Sequence, residues 1–264
     1  MKTFTTVAIM AGSLALGGSA SATPLASVFS SYYAFGDSLT DDGKYGYLPA
    51  PSLGGRFTNG LTYAEHIAAD FGVSANYALG GATAGPLNTN MPYGNSFTIP
   101  PVNLDQYATL DAQVDVFEVD PTRLLAGSNP LVSVLMGSND IFQQAYLPSG
   151  GVNIAFDVTE TVDYVVGAVR RIAGLGPFND FILPLTPGVD NPVYGPFRSA
   201  YNSYMATQIT ALMSEGYNIY VPDLDAVSDE ISANPALYGI TETGSCINSI
   251  IGGNNPLVDN CTLV

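Results

Sequence analysis

Residues 33–42 read Tyr-Ala-Phe-Gly-Asp-Ser-Leu-Thr-Asp-Asp (YAFGDSLTDD), a stretch in which a short apolar run leads directly into Gly-Asp-Ser. The apolar run, Ser31 to Phe35, predicts a buried strand, and the turn after it would present Ser38 at the carboxyl end of that strand. A serine hydroxyl is a weak nucleophile until a neighbouring base takes its proton. The stretch also lacks the last glycine of the Gly-x-Ser-x-Gly pattern, because Thr40 stands there.

Strands and helices alternate along most of the chain. Apolar runs predict further strands at Val73–Leu79, Leu131–Met136, Phe181–Leu185 and Tyr217–Val221. Apolar residues at helical spacing predict helices at Thr62–Phe71, Leu104–Val119, Ile154–Ala173, Phe197–Met213 and Ala226–Ala233. This alternation predicts a parallel sheet with helices on both faces, in one domain.

Three of the predicted strands end in Gly36-Asp37-Ser38, Gly80-Gly81-Ala82 and Gly137-Ser138-Asn139-Asp140. Taken singly, each sequence is typical of an ordinary turn. In open parallel sheets, however, reactive groups gather beyond the carboxyl ends of the strands, so the three tips should converge. Ser38 would then offer a hydroxyl and an N–H, Gly81 an N–H, and Asn139 an amide NH₂. That set suits acyl transfer, which needs a nucleophile and donors for a developing oxyanion.

Three segments, FGDSLTD (Phe35–Asp41), NYALGGATA (Asn76–Ala84) and VLMGSNDIF (Val134–Phe142), resemble in this order the first three sequence blocks of the GDSL lipase/esterase family, also called SGNH hydrolases. The similarity is greatest to the secreted branch labelled phospholipase/lecithinase/haemolysin-like, which RFTNGLTYAEHIAADFG (Arg56–Gly72) and ANPALYGITETGSC (Ala233–Cys246) also resemble.

This resemblance implies a flavodoxin-like three-layer α/β/α sandwich around a parallel sheet. It implies cleavage of carboxylic esters, namely lipids, phospholipids or acetylated sugars, without a metal or organic cofactor. It also assigns roles to residues: Ser38 becomes the nucleophile, and Gly81 and Asn139 complete the oxyanion hole. Gly80 is the less favoured choice for the glycine.

The family's last block, Asp-x-x-His, supplies the base, and it is missing from this sequence. The single histidine, His66, lies in the predicted Thr62–Phe71 helix, where an ordinary helix residue is expected. The sequence reaches Cys261 and ends at Val264, so we expect a hydrolase domain that is incomplete before that block and lacks the family's final helix. The alternatives are a catalytically inactive relative that binds an acyl or glycan ligand, and a decayed, poorly folding product.

The first 22 residues are typical of a secretory signal peptide. Lys2 is followed by the apolar segment Val7–Leu16 and the small-residue cleavage site Ala20-Ser21-Ala22. We therefore expect a secreted or periplasmic protein with its hydrolase domain at residues 23–264. In such a compartment Cys246 and Cys261 are expected to form a disulfide.

The composition of the chain limits the classes of molecule that it is expected to bind. The chain has 264 residues with a formal net charge of −16, which disfavours nucleic acid and anionic membranes. No apolar segment after the signal is long enough for a stable membrane anchor. Two cysteines and one distant histidine are too few for a zinc site. The expected partner is a small-molecule or lipid ester, and the oligomeric state stays open.

Overall fold

A computed structural model describes residues 24–46, 48, 52–86, 104–145, 151–187, 192 and 194–239. Its strands are β1 (Ser31–Gly36), β2 (Ser74–Asn76), β3 (Pro130–Leu135), β4 (Asp180–Ile182) and β5 (Asn218–Tyr220). Its helices are α1 (Tyr63–Ala68), α2 (Leu110–Val119), α3 (Ser138–Gln144), α4 (Val158–Ala173), α5 (Tyr194–Glu215) and α6 (Leu224–Ala233). Strand and helix alternate, as the sequence predicts.

The strands form one parallel sheet in the order β2-β1-β3-β4-β5. This is the strand order of flavodoxin-like α/β proteins. The predicted α/β fold with a central parallel sheet is therefore confirmed. β1 lies between β2 and β3, so the loops that follow these three strands leave the sheet side by side.

The sheet is covered on both faces, because successive side chains of a strand point to opposite sides. Tyr33 and Phe35 point into the larger core, which α2, α4 and α5 cover. Tyr32 and Ala34 point the other way, into a smaller cluster that includes Ala64 of α1. Every residue of β1 and β3 is buried, which accounts for their near-continuous apolar sequence.

Several elements are shorter than the sequence predicts, and local hydrogen bonding explains why. β2 has three residues, yet the chain after it still follows β1, since the Tyr77 and Leu79 N–H groups donate to the carbonyls of Ala34 and Gly36. Likewise α4 begins at Val158 because the Asp157 carboxylate caps it by accepting from the Thr159 N–H.

The helix predicted at residues 104–119 is divided. A single 3₁₀ turn at Asp105–Tyr107 precedes α2, and the Thr109 hydroxyl caps α2 by accepting from the Ala112 N–H. Capping hydrogen bonds of this kind satisfy the first N–H groups of a helix and so fix where it starts.

Three of the sequence predictions concern residues outside the described ranges. These predictions are the signal peptide at residues 1–22, the disulfide between Cys246 and Cys261, and the incomplete end of the hydrolase domain. Within the described ranges, none of the helices has both the length and the apolarity needed to cross a membrane.

Phe117 of α2 is the centre of the larger core, and its removal should destabilise the fold. The centroid of its ring lies 5.2–5.5 Å from the centroids of four neighbouring rings, those of Tyr33, Phe35, Tyr77 and Phe178. We expect Phe117→Ala to lower the free energy of unfolding by about 3–5 kcal/mol, measured by urea denaturation. Val119→Ala, on the exposed end of the same helix, should change it by less than about 0.5 kcal/mol. Equal effects of the two changes would contradict this view of the core.

Candidate active site

The loops after β1, β2 and β3 meet at the carboxyl edge of the sheet. Gly36, the last residue of β1, is paired with Leu135, the last residue of β3. Ser38 and Asn139 therefore lie on adjacent loops that leave the same edge. On the other side of β1, the Leu79 N–H donates to the Gly36 carbonyl at 3.1 Å, which brings Gly80 and Gly81 to this edge as well. The three predicted strand tips thus converge.

The loop after β1 holds Gly80 through both of its backbone polar groups. The Gly80 N–H donates to the Asp41 carboxylate at 2.7 Å, and the Gly80 carbonyl accepts from the Tyr45 hydroxyl, also at 2.7 Å. The Phe57 ring packs so closely on Gly80 that an added Cβ would lie 1.9 Å from it. Only glycine fits at this position.

Position 81 requires glycine for a different reason. Its φ of +83° lies in the left-handed region, where a side chain is strained. The two glycines can therefore be told apart, since the Gly80 N–H is bound to a buried carboxylate.

The loop after β3 is fixed by a buried tyrosine from α5. The Tyr201 hydroxyl donates to the Met136 carbonyl at 2.8 Å, and the Tyr201 ring packs against Gly137. Gly137 has a φ of +118°, which turns the chain into α3 and brings Asn139 into its first turn.

Asn139 and Asp140 bind the loop after β2. The Asn139 amide donates to the Ala82 carbonyl at 2.9 Å. The buried Asp140 carboxylate accepts from the N–H groups of Ala84 and Gly85 at 2.8 and 2.9 Å. These three hydrogen bonds fix the glycine loop relative to Asn139.

Ser38 is half-buried, and its hydroxyl forms no hydrogen bond with any described residue. His66 is exposed in the last turn of α1, and within the described ranges no hydrogen bond joins it to Ser38. The structure therefore brings together the loops of the three predicted site residues and leaves the histidine apart from them.

Buried carboxylates lie directly behind this edge. Burial raises the pKa of Asp37 to about 7, with Asp140 and Asp41 adding to the rise and the Leu39 N–H opposing it. Burial also raises the pKa of Asp140 to about 6, against the effect of the Gly85 and Ala84 N–H groups. Desolvation disfavours a charged carboxylate more than these hydrogen bonds favour it.

A small open cleft lies between α3 and the start of α5, and Ser138, which precedes Asn139, forms part of its wall. Its walls are mostly apolar, and they include Ile141, Phe142, Pro187 and Tyr194. Arg198 also lines the cleft, but its guanidinium is paired with Asp225. Across the described ranges, no group of three or more His, Cys, Asp or Glu residues could hold a metal ion.

The residues that hold the site together are not among those predicted from the sequence. Asp41 and Asp140 stand inside the quoted motifs, and their position in turns after buried strands was the available signal. Tyr45 and Tyr201 carried no such signal, because the backbone groups that they bind are distant in sequence.

Comparison with known proteins agrees with this architecture. Residues 32–251 match the family model for GDSL-like lipase/acylhydrolase, and the chain belongs to this family of ester hydrolases. It is 28% identical over 243 residues to a phosphatidylcholine-sterol acyltransferase of Aeromonas hydrophila, covering 86% of this chain and 67% of that enzyme. It is 26% identical over 268 residues to esterase EstA of Pseudomonas aeruginosa, covering 86% of this chain and 40% of EstA.

Solved structures with a partly similar course of the chain include the following two. An acetylxylan esterase from Geobacillus stearothermophilus, in the form of a catalytic mutant, gives a TM-score of 0.45 at 16% identity, covering 84% of this chain and 89% of that one. A phospholipase A1 from Streptomyces albidoflavus gives 0.38 at 17% identity, covering 82% and 90%.

The buried carboxylates predict how stability depends on pH. In the folded protein the pKa values of Asp37 and Asp140 are about 7 and about 6, against an ordinary 3.8, so the folded state binds more protons than the unfolded state at intermediate pH. The free energy of unfolding should therefore rise, on the order of 3 kcal/mol, as pH falls from 8 to 5. Urea denaturation across this range measures it.

The matched variants identify the source of this pH dependence. Asp37→Asn and Asp140→Asn should each flatten the slope, because neither asparagine titrates. Asp229→Asn removes one negative charge from the exposed α6 and should leave the slope nearly unchanged. Burial also raises the pKa of Asp41, so a smaller slope should remain in the double variant Asp37→Asn/Asp140→Asn. A slope as steep as that of the parent protein would contradict the assignment.

Proposed function

We propose that this protein cleaves carboxylic esters with Ser38 as its nucleophile. The Ser38 oxygen attacks the ester carbonyl carbon, the bond to the alcohol breaks, and the proton of Ser38 passes to the departing alcohol. Water then attacks the acyl-serine, which releases the acid and restores the hydroxyl. The observation that carries this proposal is the meeting of the loops of Ser38, Gly81 and Asn139 at one edge of the sheet in a chain of the GDSL-like family.

The oxyanion hole that we propose consists of the N–H groups of Ser38 and Gly81 and the amide of Asn139. A carboxamide NH₂ carries two hydrogens, and the bond to the Ala82 carbonyl uses one of them. That bond holds the amide plane, so the other hydrogen has a fixed direction. Donors held before the reaction stabilise the transition state without a cost of reorganisation.

We place the acyl or alcohol part of the ester in the apolar cleft between α3 and the start of α5. Its walls of Ile141, Phe142 and Tyr194 suit hydrocarbon better than a charged group. The name of the Aeromonas relative, phosphatidylcholine-sterol acyltransferase, supports an ester of a lipid as substrate. The signal-like residues 1–22 support export as the route by which the protein meets it.

The described residues supply no base for this reaction, so the rate rests on the nucleophile and the oxyanion hole. Serine hydrolases that lose a member of their triad retain ~10³ to 10⁴-fold acceleration over water from these remaining parts. We expect a protein of residues 1–264 to react slowly with activated esters.

A fluorophosphonate probe tests the nucleophile. It should label the protein slowly, and Ser38→Ala should abolish the labelling because the reacting oxygen is gone. Ser203→Ala, on the exposed face of α5, serves as the matched control and should label like the parent protein. Labelling that persists in Ser38→Ala would reject Ser38. Saturable binding of an ester with no labelling of any variant would instead identify a protein that binds its ligand without cleaving it.

Hydrolysis of a p-nitrophenyl ester tests the oxyanion hole. Asn139→Ala should lower kcat by roughly 10²–10³, the usual loss when one oxyanion donor is removed, with little change in KM. Gln143→Ala, later in the same helix, should leave kcat within about twofold. A kcat of Asn139→Ala equal to that of the parent protein would exclude Asn139 as a donor.

A further inference from the structure

The hydrogen bond between Tyr45 and Gly80 has a consequence for Gly81. The Gly80 carbonyl and the Gly81 N–H belong to the same peptide group, which is planar and trans, so they point in opposite directions. The Tyr45 hydroxyl donates to that carbonyl at 2.7 Å. By holding the Gly80 carbonyl, the Tyr45 hydroxyl therefore also sets the direction in which the Gly81 N–H points.

Tyr45 is held firmly enough to act in this way. Its side chain is buried, and its ring meets Phe57 edge to face with 5.6 Å between the centroids. Phe57 in turn packs on Gly80. Burial, with Asp41 nearby, raises the pKa of the Tyr45 hydroxyl, so the hydroxyl keeps the proton that it donates.

The peptide group on the other side of Gly80 is fixed as well. Its N–H donates to the Asp41 carboxylate at 2.7 Å, and Asp41 is itself held by the N–H groups of Gly43 and Lys44, each at 3.0 Å. Rotation about the Gly80 backbone would break one of these bonds and leave a buried polar group unpaired, which is costly. The peptide that carries the Gly81 N–H therefore has one favoured orientation.

We propose that Tyr45 is a positioning residue for ester cleavage, which orients the Gly81 N–H toward the substrate oxyanion through the peptide group that Gly80 and Gly81 share. This inference rests on the function proposed above, in which Gly81 is an oxyanion donor. Tyr45 itself does not contact the substrate.

The test uses Tyr45→Phe, which removes the hydroxyl and keeps the ring that packs on Phe57. The matched control is Tyr33→Phe. The Tyr33 hydroxyl donates to the Thr122 carbonyl at 2.8 Å, so the same kind of bond is lost from a buried tyrosine near the opposite edge of the sheet. Urea denaturation of both variants reports the general cost of losing such a bond.

An alkylboronic acid is the probe. Its boron bonds to the serine oxygen while the serine proton passes to water, and the tetrahedral, negatively charged adduct needs donors for its oxygen. The alkylcarboxamide of the same chain length cannot form this adduct and reports ordinary binding. We expect Tyr45→Phe to weaken boronic acid binding about tenfold, less than the loss in Asn139→Ala, since the donor remains and only its orientation relaxes. Carboxamide binding should change by less than about twofold, and Tyr33→Phe should bind both ligands like the parent protein.

The amide proton of Gly81 gives a spectroscopic signature. In the parent protein its NMR resonance should move downfield when the boronic acid binds, and in Tyr45→Phe this movement should be smaller. Unchanged affinity and an unchanged Gly81 shift in Tyr45→Phe would overturn the role of Tyr45 while leaving the proposed function intact. Boronic acid binding by the parent protein that does not depend on Ser38 would overturn the proposed function, and the role of Tyr45 with it.

Discussion

The parallel pairing of β1 with a strand on each side is the constraint on which the rest of the structure depends. Gly36 is the last paired residue of β1, and it aligns with Leu135 at the end of β3. The chain beyond β2 continues to hydrogen-bond to β1 as far as the Gly36 carbonyl. Because all three strands are parallel, the loops that follow them all lie at the carboxyl edge of the sheet. A register shift in either pairing would separate the loops.

Three buried carboxyl groups lie where the loops converge. Asp37, Asp41 and Asp140 are all buried, and burial raises the pKa of each carboxyl. Two of them have a clear structural use, since Asp41 binds the Gly80 N–H and Asp140 binds those of Ala84 and Gly85. A buried carboxylate that accepts several N–H groups fixes a loop more firmly than a neutral acceptor. The carboxylates therefore order the loops at the carboxyl edge, and their burial lowers the free energy of unfolding.

The tyrosines act at the same edge without carrying charge. Tyr45 and Tyr201 each donate from a buried hydroxyl to a backbone carbonyl, one in the glycine loop and one just before Gly137. The first bond fixes the peptide group that carries the Gly81 N–H, and the second fixes the peptide group between Met136 and Gly137, shortly before Asn139. The loops that carry the proposed donors are thus held both by buried carboxylates and by tyrosine hydroxyls.

The sequence by itself determined the alternation of strands and helices, the parallel sheet, and the loops on which Ser38, Gly81 and Asn139 stand. Those features depend on local periodicity and on turn residues, which are read within a few positions of the chain. Only the tertiary structure decided the partners of Asp41, Tyr45, Asp140 and Tyr201, and with them the different environments of Gly80 and Gly81. These contacts join segments that are far apart in sequence, and their distances are set by strand register and helix packing, which no local pattern encodes.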